Sequence, residues 1–272
     1  MSDLFSLKNK VAVVTGALGL LGKQHCYALA EAGANVVVTD LNEDRCEAFA
    51  HELGVATSTQ PIGIAVDITR RLSIETLKDQ VKKNYGSIAI LVNNAAVNDA
   101  FENPAAAADQ SKFENYPIEL WQKSLDVNIT GTFLCSQVMG GMMAKQGSGS
   151  IINIASTYGI VGPDQSLYSR ADGTQSFYKS PSYPTTKGAV IAFTRFLATY
   201  WAKNGVRVNA LSPGGVENGQ DENFIKNYST RTPLGRMAQP SDYKGALVFL
   251  ASDASRYMTG TNLVVDGGWT AW

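Results

Sequence analysis

The feature that most constrains this chain is the alternation of short apolar runs with longer amphipathic stretches. Val11 to Thr15, Asn35 to Thr39, Pro61 to Val66, Ile88 to Asn93, Ser150 to Ala155, Val206 to Leu211 and Leu263 to Val265 are almost continuously apolar. Strands covered on both faces require that pattern. Between them, Leu21 to Ala32, Asn42 to Leu53 and Arg70 to Tyr85 have helical periodicity and the length of crossover helices. Strand, helix and strand repeated in this way predict an α/β fold: a doubly wound, parallel, seven-stranded sheet in a three-layer α/β/α arrangement. A sheet of this kind accommodates all 272 residues as one domain, 1–272. Two stretches, 98–117 and 162–182, interrupt the rhythm. Loops of that length in a compact domain either serve the ligand or make irregular surface excursions, and both readings stay open.

Composition narrows the partners. Charged residues make up 17% of the chain and hydrophobic ones 44%, where soluble domains carry roughly 25% charge. A partly covered surface and a substantial core follow. The net charge of −1, with scattered basic residues, gives no electrostatic footprint for nucleic acid or an anionic membrane. A small-molecule partner is expected. Cys26, Cys46 and Cys135 are too far apart for a metal knuckle, and His25 and His51 lack ligand neighbours, so no metal site is assigned. The N-terminal residues lack a secretory pattern, and a cytoplasmic location is the expectation.

The first strand runs into Thr15-Gly16-Ala17-Leu18-Gly19-Leu20-Leu21-Gly22 and then a helix. Glycines at Gly16, Gly19 and Gly22 let the backbone approach a pyrophosphate, and the helix start favours its charge. Close helix packing without a ligand is the alternative reading. Asp40, 18 residues beyond Gly22 at the end of the second strand, can accept from adenosine ribose hydroxyls. A 2′-phosphate would meet that carboxylate, and neither Leu18 nor Leu41 offers a compensating cation, so NAD is the expected cofactor. Asp40 could otherwise cap the following helix, although Asn42 can do so equally well. Asp67, after the third strand, is either a partner for the adenine amino group or another cap.

Ser182-Tyr183-Pro184-Thr185-Thr186-Lys187-Gly188 opens an apolar helix. Tyr183 and Lys187, four apart, share one helix face, where an ammonium can favour the phenolate. Pro184 suits a first turn, which places Tyr183 at the positive end of the dipole. A pair at this spacing is also common on solvated helix faces. Ser156 supplies context, because it follows a strand at the carboxyl edge where doubly wound sheets bind ligands. Asn128, in Asp126-Val127-Asn128-Ile129-Thr130-Gly131, is either a satisfied core amide or a group that holds a water touching Lys187.

Taken together, Thr15 to Gly22, Asn93-Asn94-Ala95-Ala96, Asn128, Ser156, Tyr183 with Lys187, Pro213-Gly214 and Asp266-Gly267-Gly268 resemble the short-chain dehydrogenase/reductase family across nearly the whole chain. The resemblance implies a Rossmann-like fold in which Tyr183 is the acid/base and Lys187 holds the nicotinamide ribose and tunes Tyr183. It further implies that Ser156 orients substrate and that Asn128 supports a proton-relay water. Gly16, Leu18, Gly19, Leu21, Gly22, Asp40, Leu41, Asp67, Ile68, Asn94, Ala95, Ala96, Pro213, Gly214 and Val216 would line the cofactor, with the backbone near Val216 holding the carboxamide.

The chain also departs from the family pattern. Its middle glycine is Gly19 rather than residue 20, a spacing more like the extended sugar-nucleotide branch. Ala96 replaces a common glycine, and Asn218 stands where a threonine often contacts the cofactor. Ser156 and Tyr183 lie 27 positions apart, about twice the usual interval, with the surplus in Gly162 to Ser182 beside the expected substrate mouth.

The expected reaction is reversible oxidation of a secondary alcohol, with Tyr183 as phenolate taking the hydroxyl proton while hydride leaves the same carbon for NAD. Asp164, Gln165, Arg170, Asp172 and Gln175 favour a sugar, sugar acid or polyol, whereas Tyr158, Tyr168, Phe177 and Tyr178 would suit an aromatic or lipidic ligand. A catalytically silent NAD-binding scaffold and an isomerase or epimerase using NAD transiently are the competing classes. The family resemblance implies a homo-oligomer, a dimer or a tetramer. Trp269 and Trp272 are either interface anchors or partners within the chain.

Overall fold

The computed structural model describes residues 2–99, 107–170 and 172–272. The middle of the 98–117 stretch and residue 171 therefore lie outside the described residues. Seven strands form one sheet: β1 (Val11–Thr15), β2 (Asn35–Asp40), β3 (Ile62–Ala65), β4 (Ile90–Asn93), β5 (Gly149–Ile154), β6 (Val206–Pro213) and β7 (Asn262–Val265). Their order is β3-β2-β1-β4-β5-β6-β7, and every pairing is parallel.

Side-chain alternation within the strands builds two cores. From β1 and β2, Ala12, Val14, Val36 and Val38 face Leu29 and Phe49, on the helices α1 (Leu20–Glu31) and α2 (Glu43–Thr57). On the same side they meet Leu247 and Leu250 of the Lys244–Ala251 helix. Val11, Val13 and Val37 point the other way, onto Ile74, Leu77 and Val81 of α3 (Arg71–Tyr85), with Met139, Met143, Leu197 and Trp201. Both faces of the sheet are thus dry, which explains the unbroken apolar runs. The strand order reverses between β1 and β4, and a reversal of this kind opens a crevice at the strands' carboxyl ends.

Two helices frame that crevice. One is the Ser182–Trp201 helix. The other is the run 118–146, which is α-helical at both ends but widens to π-helix over Leu125–Gly131 and Ser136–Gly140. Such widening is rare and frequently accompanies functional sites.

Cys26, Cys46 and Cys135 are free and buried. His25, on α1, is fully buried, and neither ring nitrogen has a hydrogen-bond partner among the described residues. Burial lowers its pKa from 6.5 to about 4, so the folded state holds the imidazole neutral where the unfolded chain would protonate it. The stabilisation is complete above pH 6.5 and is lost as pH falls through about 4. At roughly 1.4 kcal/mol per pH unit, about 3 kcal/mol should disappear over that window. Urea unfolding of wild type and His25→Leu at pH 7 and pH 4 checks this. The variant should lack that component, and an unchanged pH slope would contradict it.

Candidate active site

The glycine turn sits at the carboxyl end of β1. Gly16 adopts a left-handed φ of 63°, and a Cβ there would lie 2.7 Å from the Ala95 Cα. Gly22 meets the turn itself, since its Cβ would come within 2.1 Å of the Gly16 carbonyl. Both positions therefore require glycine. Gly19 is exposed, adopts an extended conformation at the N-cap of α1 and has no side-chain cap. Asn94 braces the turn from β4 by donating its side-chain amide to the Thr15 and Gly16 carbonyls at 2.9 and 3.0 Å.

Asp40 is fixed beside the same turn. One carboxylate oxygen accepts from Leu18 N at 3.1 Å and the other from Leu41 N at 2.8 Å. It does not cap α2; Asn42 does, accepting from Arg45 N at 2.9 Å. Asp67 folds back on Thr69, accepting from its amide and hydroxyl, while the N-cap position of α3 falls to Arg70. Ile68 is buried and fills the space left by Gly131 in the 118–146 run. A tight glycine cradle, free helix-start amides and a carboxylate at the end of β2 fit an adenine dinucleotide. The phosphate turn would hold its pyrophosphate and Asp40 its ribose.

Ser156, Tyr183 and Lys187 converge on the crevice. Ser156 caps a short 3-10 turn after β5, accepting from Tyr158 N at 3.2 Å. Tyr183 is the second residue of the Ser182–Trp201 helix, and Pro184 lies in its first turn. Lys187 is buried, its ammonium donating to the Ile154 carbonyl at 2.7 Å and lying 5.7 Å from the Tyr183 ring centre. Burial pulls Lys187 down to about 8. Burial also pushes the Tyr183 phenol above its ordinary value, with the Ser156 hydroxyl acting in the opposite direction. In the protein alone, desolvation thus outweighs any neighbouring cation at Tyr183.

Asn128 is 2% exposed and lies in the first π-helical segment. Its oxygen accepts from Val97 N at 2.8 Å, and its amide donates to the Val97 carbonyl and to the Thr186 hydroxyl. It clips the strand extension after β4 to the helix that carries Tyr183 and Lys187.

The two long stretches roof the crevice and touch each other. Tyr178 N donates to the Ser111 hydroxyl at 2.8 Å, and Lys179 donates to the Asn98 side chain at 2.6 Å. Asp99 accepts from the hydroxyls of Tyr116, Ser182 and Ser124, which anchors the start of the Ser182–Trp201 helix. Leu167 and Tyr168 form a small core with Tyr228 of the Glu222–Arg231 helix and with Met237. Trp269 stacks on Tyr228 at 4.2 Å between ring centres, whereas Trp272 is 82% exposed. The two tryptophans therefore differ, one stacking within the chain and the other exposed, tethered by its indole N–H donating to the Arg231 carbonyl at 3.2 Å.

The half-open crevice measures about 890 Å³. Ser156, Tyr183, Lys187, Asn94, Ala96, Leu21, Pro213, Gly214 and Val216 all line it. The Val216 carbonyl is held by the Gln220 amide at 2.8 Å. Gly16, Leu18, Gly19, Gly22, Asp40, Leu41, Asp67, Ile68 and Ala95 lie on the adjoining ends of β1 to β4, outside that cavity, and Asn128 stands behind it. Lys179 and Asp99 also line it and are not singled out by sequence reasoning, because both belong to segments without periodicity. Among the described residues no group of three or more His, Cys, Asp or Glu is placed to hold a metal ion. No helix among them is long and apolar enough to cross a membrane.

Comparison with known proteins supplies the family. A family model described as enoyl-(acyl carrier protein) reductase matches residues 16–270. The NAD-dependent glycerol dehydrogenase of Listeria innocua is 33% identical over 271 residues, covering 98% of this chain and 96% of that one. The D-threitol dehydrogenase of Mycolicibacterium smegmatis is 34% identical over 274 residues, with 98% and 95% covered. A gluconate 5-dehydrogenase from Burkholderia cenocepacia, solved with NADP and tartrate, superposes with a TM-score of 0.86 at 29% identity, over 100% of this chain and 99% of that one. With a seven-stranded parallel sheet and matches spanning its whole length, the chain belongs to the short-chain dehydrogenase/reductase family of oxidoreductases.

Proposed function

We propose that this chain reversibly oxidises a secondary alcohol of a small polyhydroxylated substrate, with NAD as its cofactor. The observation that carries this reading is the convergence of Ser156, Tyr183 and Lys187 on one cavity, beside a glycine turn that Asp40 closes. The nicotinamide, when bound, supplies the hydride acceptor. Ser156 holds the substrate oxygen, and Tyr183 removes its proton as carbonyl character develops. Lys187 and the Ile154 carbonyl fix the floor of the site, and Asn128 keeps the Tyr183 helix in register with β4. Tyr158, Tyr168, Phe177 and Tyr178 line the site and limit how much water reaches a bound substrate. Glycerol and threitol dehydrogenases among the relatives support a polyol over a lipid. Following NADH absorbance over a panel of polyols, aldonates and simple secondary alcohols tests the reading. Turnover with polyhydroxylated members is expected, and dinucleotide binding without turnover on any member would overturn it.

A second copy of the chain is the occupant we assign to one apolar face. Phe133, Phe196 and Tyr200 are 42%, 59% and 65% exposed and join Phe193 in a continuous aromatic stripe. Two long helices crossing their own copies would bury that stripe isologously. Phe196→Asp is expected to weaken dimerisation by about a hundredfold, as burying an unpaired charge in an interface does. Sedimentation velocity reads the change, and a wild-type monomer at micromolar concentration would contradict the assignment.

A further inference from the structure

Ser156, Tyr183 and Lys187 account for the proton and the cofactor, but a second lysine at the same phenol has no role in that scheme. Lys179 belongs to the long connection between β5 and the Ser182–Trp201 helix. Its backbone is gripped at both ends by one side chain, with Lys179 N donating to Gln165 Oε1 at 2.7 Å and Gln165 Nε2 donating to the Lys179 carbonyl at 3.2 Å. The ammonium is thereby delivered to the Tyr183 ring, 4.5 Å from its centre and nearer than Lys187 at 5.7 Å.

Its partners do not match its charge. Among the described residues it makes one side-chain hydrogen bond, to the neutral Asn98 oxygen, and joins no ion pair. Two carboxylates line the cavity, and both are engaged elsewhere. Asp99 accepts from three hydroxyls, and Asp221 caps the Glu222–Arg231 helix through Asn223 N and Phe224 N. Arg170 adds another cation to the lining. Asp99 lends Lys179 its field but no hydrogen bond among the described residues. A half-buried ammonium with unused N–H groups, facing a cavity whose acids accept from other donors, is matched by an anionic ligand.

We propose that Lys179 binds a substrate carboxylate, so that the substrate is a polyhydroxy monocarboxylate whose carbinol oxygen rests on Tyr183 and Ser156. This deepens the alcohol-oxidising reading above and rests on it. Arg170 turns its guanidinium onto the Thr174 hydroxyl, which leaves the Lys179 ammonium, with its free N–H groups, as the nearest cation at the Tyr183 ring. One ammonium suits a carboxylate better than a phosphate dianion, for which a fork of several donors is the usual receptor.

Matched pairs test the assignment: D-gluconate against D-glucitol, threonate against threitol, and glycerol 3-phosphate against glycerol. Wild type should prefer each carboxylate over its neutral partner by about a hundredfold in kcat/KM, the range expected for a hydrogen bond to a charged group. Lys179→Met should bring that ratio near one, chiefly through KM, and Lys179→Arg should recover most of it. An unchanged ratio would overturn the proposal, as would equal losses on both partners or a preference for the phosphate ester. If no alcohol is turned over, the broader reading fails. Calorimetric binding of tartrate to the NAD-loaded protein still decides the role of Lys179, because its affinity must fall about a hundredfold in Lys179→Met, and an unaltered affinity would refute the role.

Discussion

Tyr183→Phe is expected to lower kcat by about a thousandfold while leaving dinucleotide affinity within a few-fold of wild type. A positioned proton acceptor contributes roughly 10²- to 10⁴-fold to such a reaction, and the substitution deletes only the hydroxyl. The phenyl ring would still fill its place between the two lysines, at 4.5 and 5.7 Å from their ammonium groups, so the loss cannot be assigned to a collapsed site. Because burial holds the phenol above its ordinary value in the protein alone, the alkaline limb of kcat/KM in wild type should rise with pH and flatten at the phenol's ionisation. Tyr183→Phe should lack that limb. Single-turnover and steady-state rates with fluorescence titration of NADH provide the check. A residual rate within tenfold of wild type would remove Tyr183 from the chemistry.

The second large effect concerns the cofactor. Wild type is expected to use NAD at least a hundredfold better than NADP in kcat/KM, and Asp40→Ser with Leu41→Arg should erase or invert that preference. The Asp40 carboxylate is held by two backbone amides at the end of β2, beside the turn where the adenosine would lie. A phosphate placed about 4 Å from it would suffer a repulsion on the order of 4 kcal/mol at a surface-like dielectric. Leu41 is 73% exposed and carries no charge to relieve it. Replacing both residues removes the repulsion and adds a guanidinium suited to phosphate. Equal use of both dinucleotides by wild type would contradict the argument. The comparison matters because related proteins differ, with NAD in the name of the glycerol dehydrogenase and NADP in the solved gluconate 5-dehydrogenase.

The sheet was legible in the sequence because burial on both faces writes itself as uninterrupted apolar runs. β1 occupies Val11–Thr15 as expected, while β2 runs one residue further to Asp40 and β6 extends to Pro213. α2 continues past Leu53 to Thr57, because Gly54 packs against Pro61 instead of ending the helix, and left-handed Ser58 closes it. The long connections were legible only as interruptions. Leu167 and Tyr168 are buried by Tyr228 and Met237, sixty to seventy positions away in the chain, and no local period encodes such a contact. For the same reason Lys179 is inconspicuous in the sequence, since its position depends on Gln165 folding back on it. Asn128 reads in sequence as a buried amide, but its partners, Val97 and Thr186, emerge only once β4 and the Tyr183 helix are brought together. The spacing of Tyr183 and Lys187 predicts their shared helix face. It does not predict that the lysine would turn toward Ile154.

Hydride transfer from carbinol carbon to nicotinamide leaves an isotopic record that mass spectrometry reads directly. With a turnover-positive polyol deuterated at the reacting carbon, mass spectrometry of the recovered cofactor should find one deuterium per NADH formed, alongside an equivalent of ketone. Deuterium retained in a rearranged product without net NADH, or lost to solvent, would contradict the account.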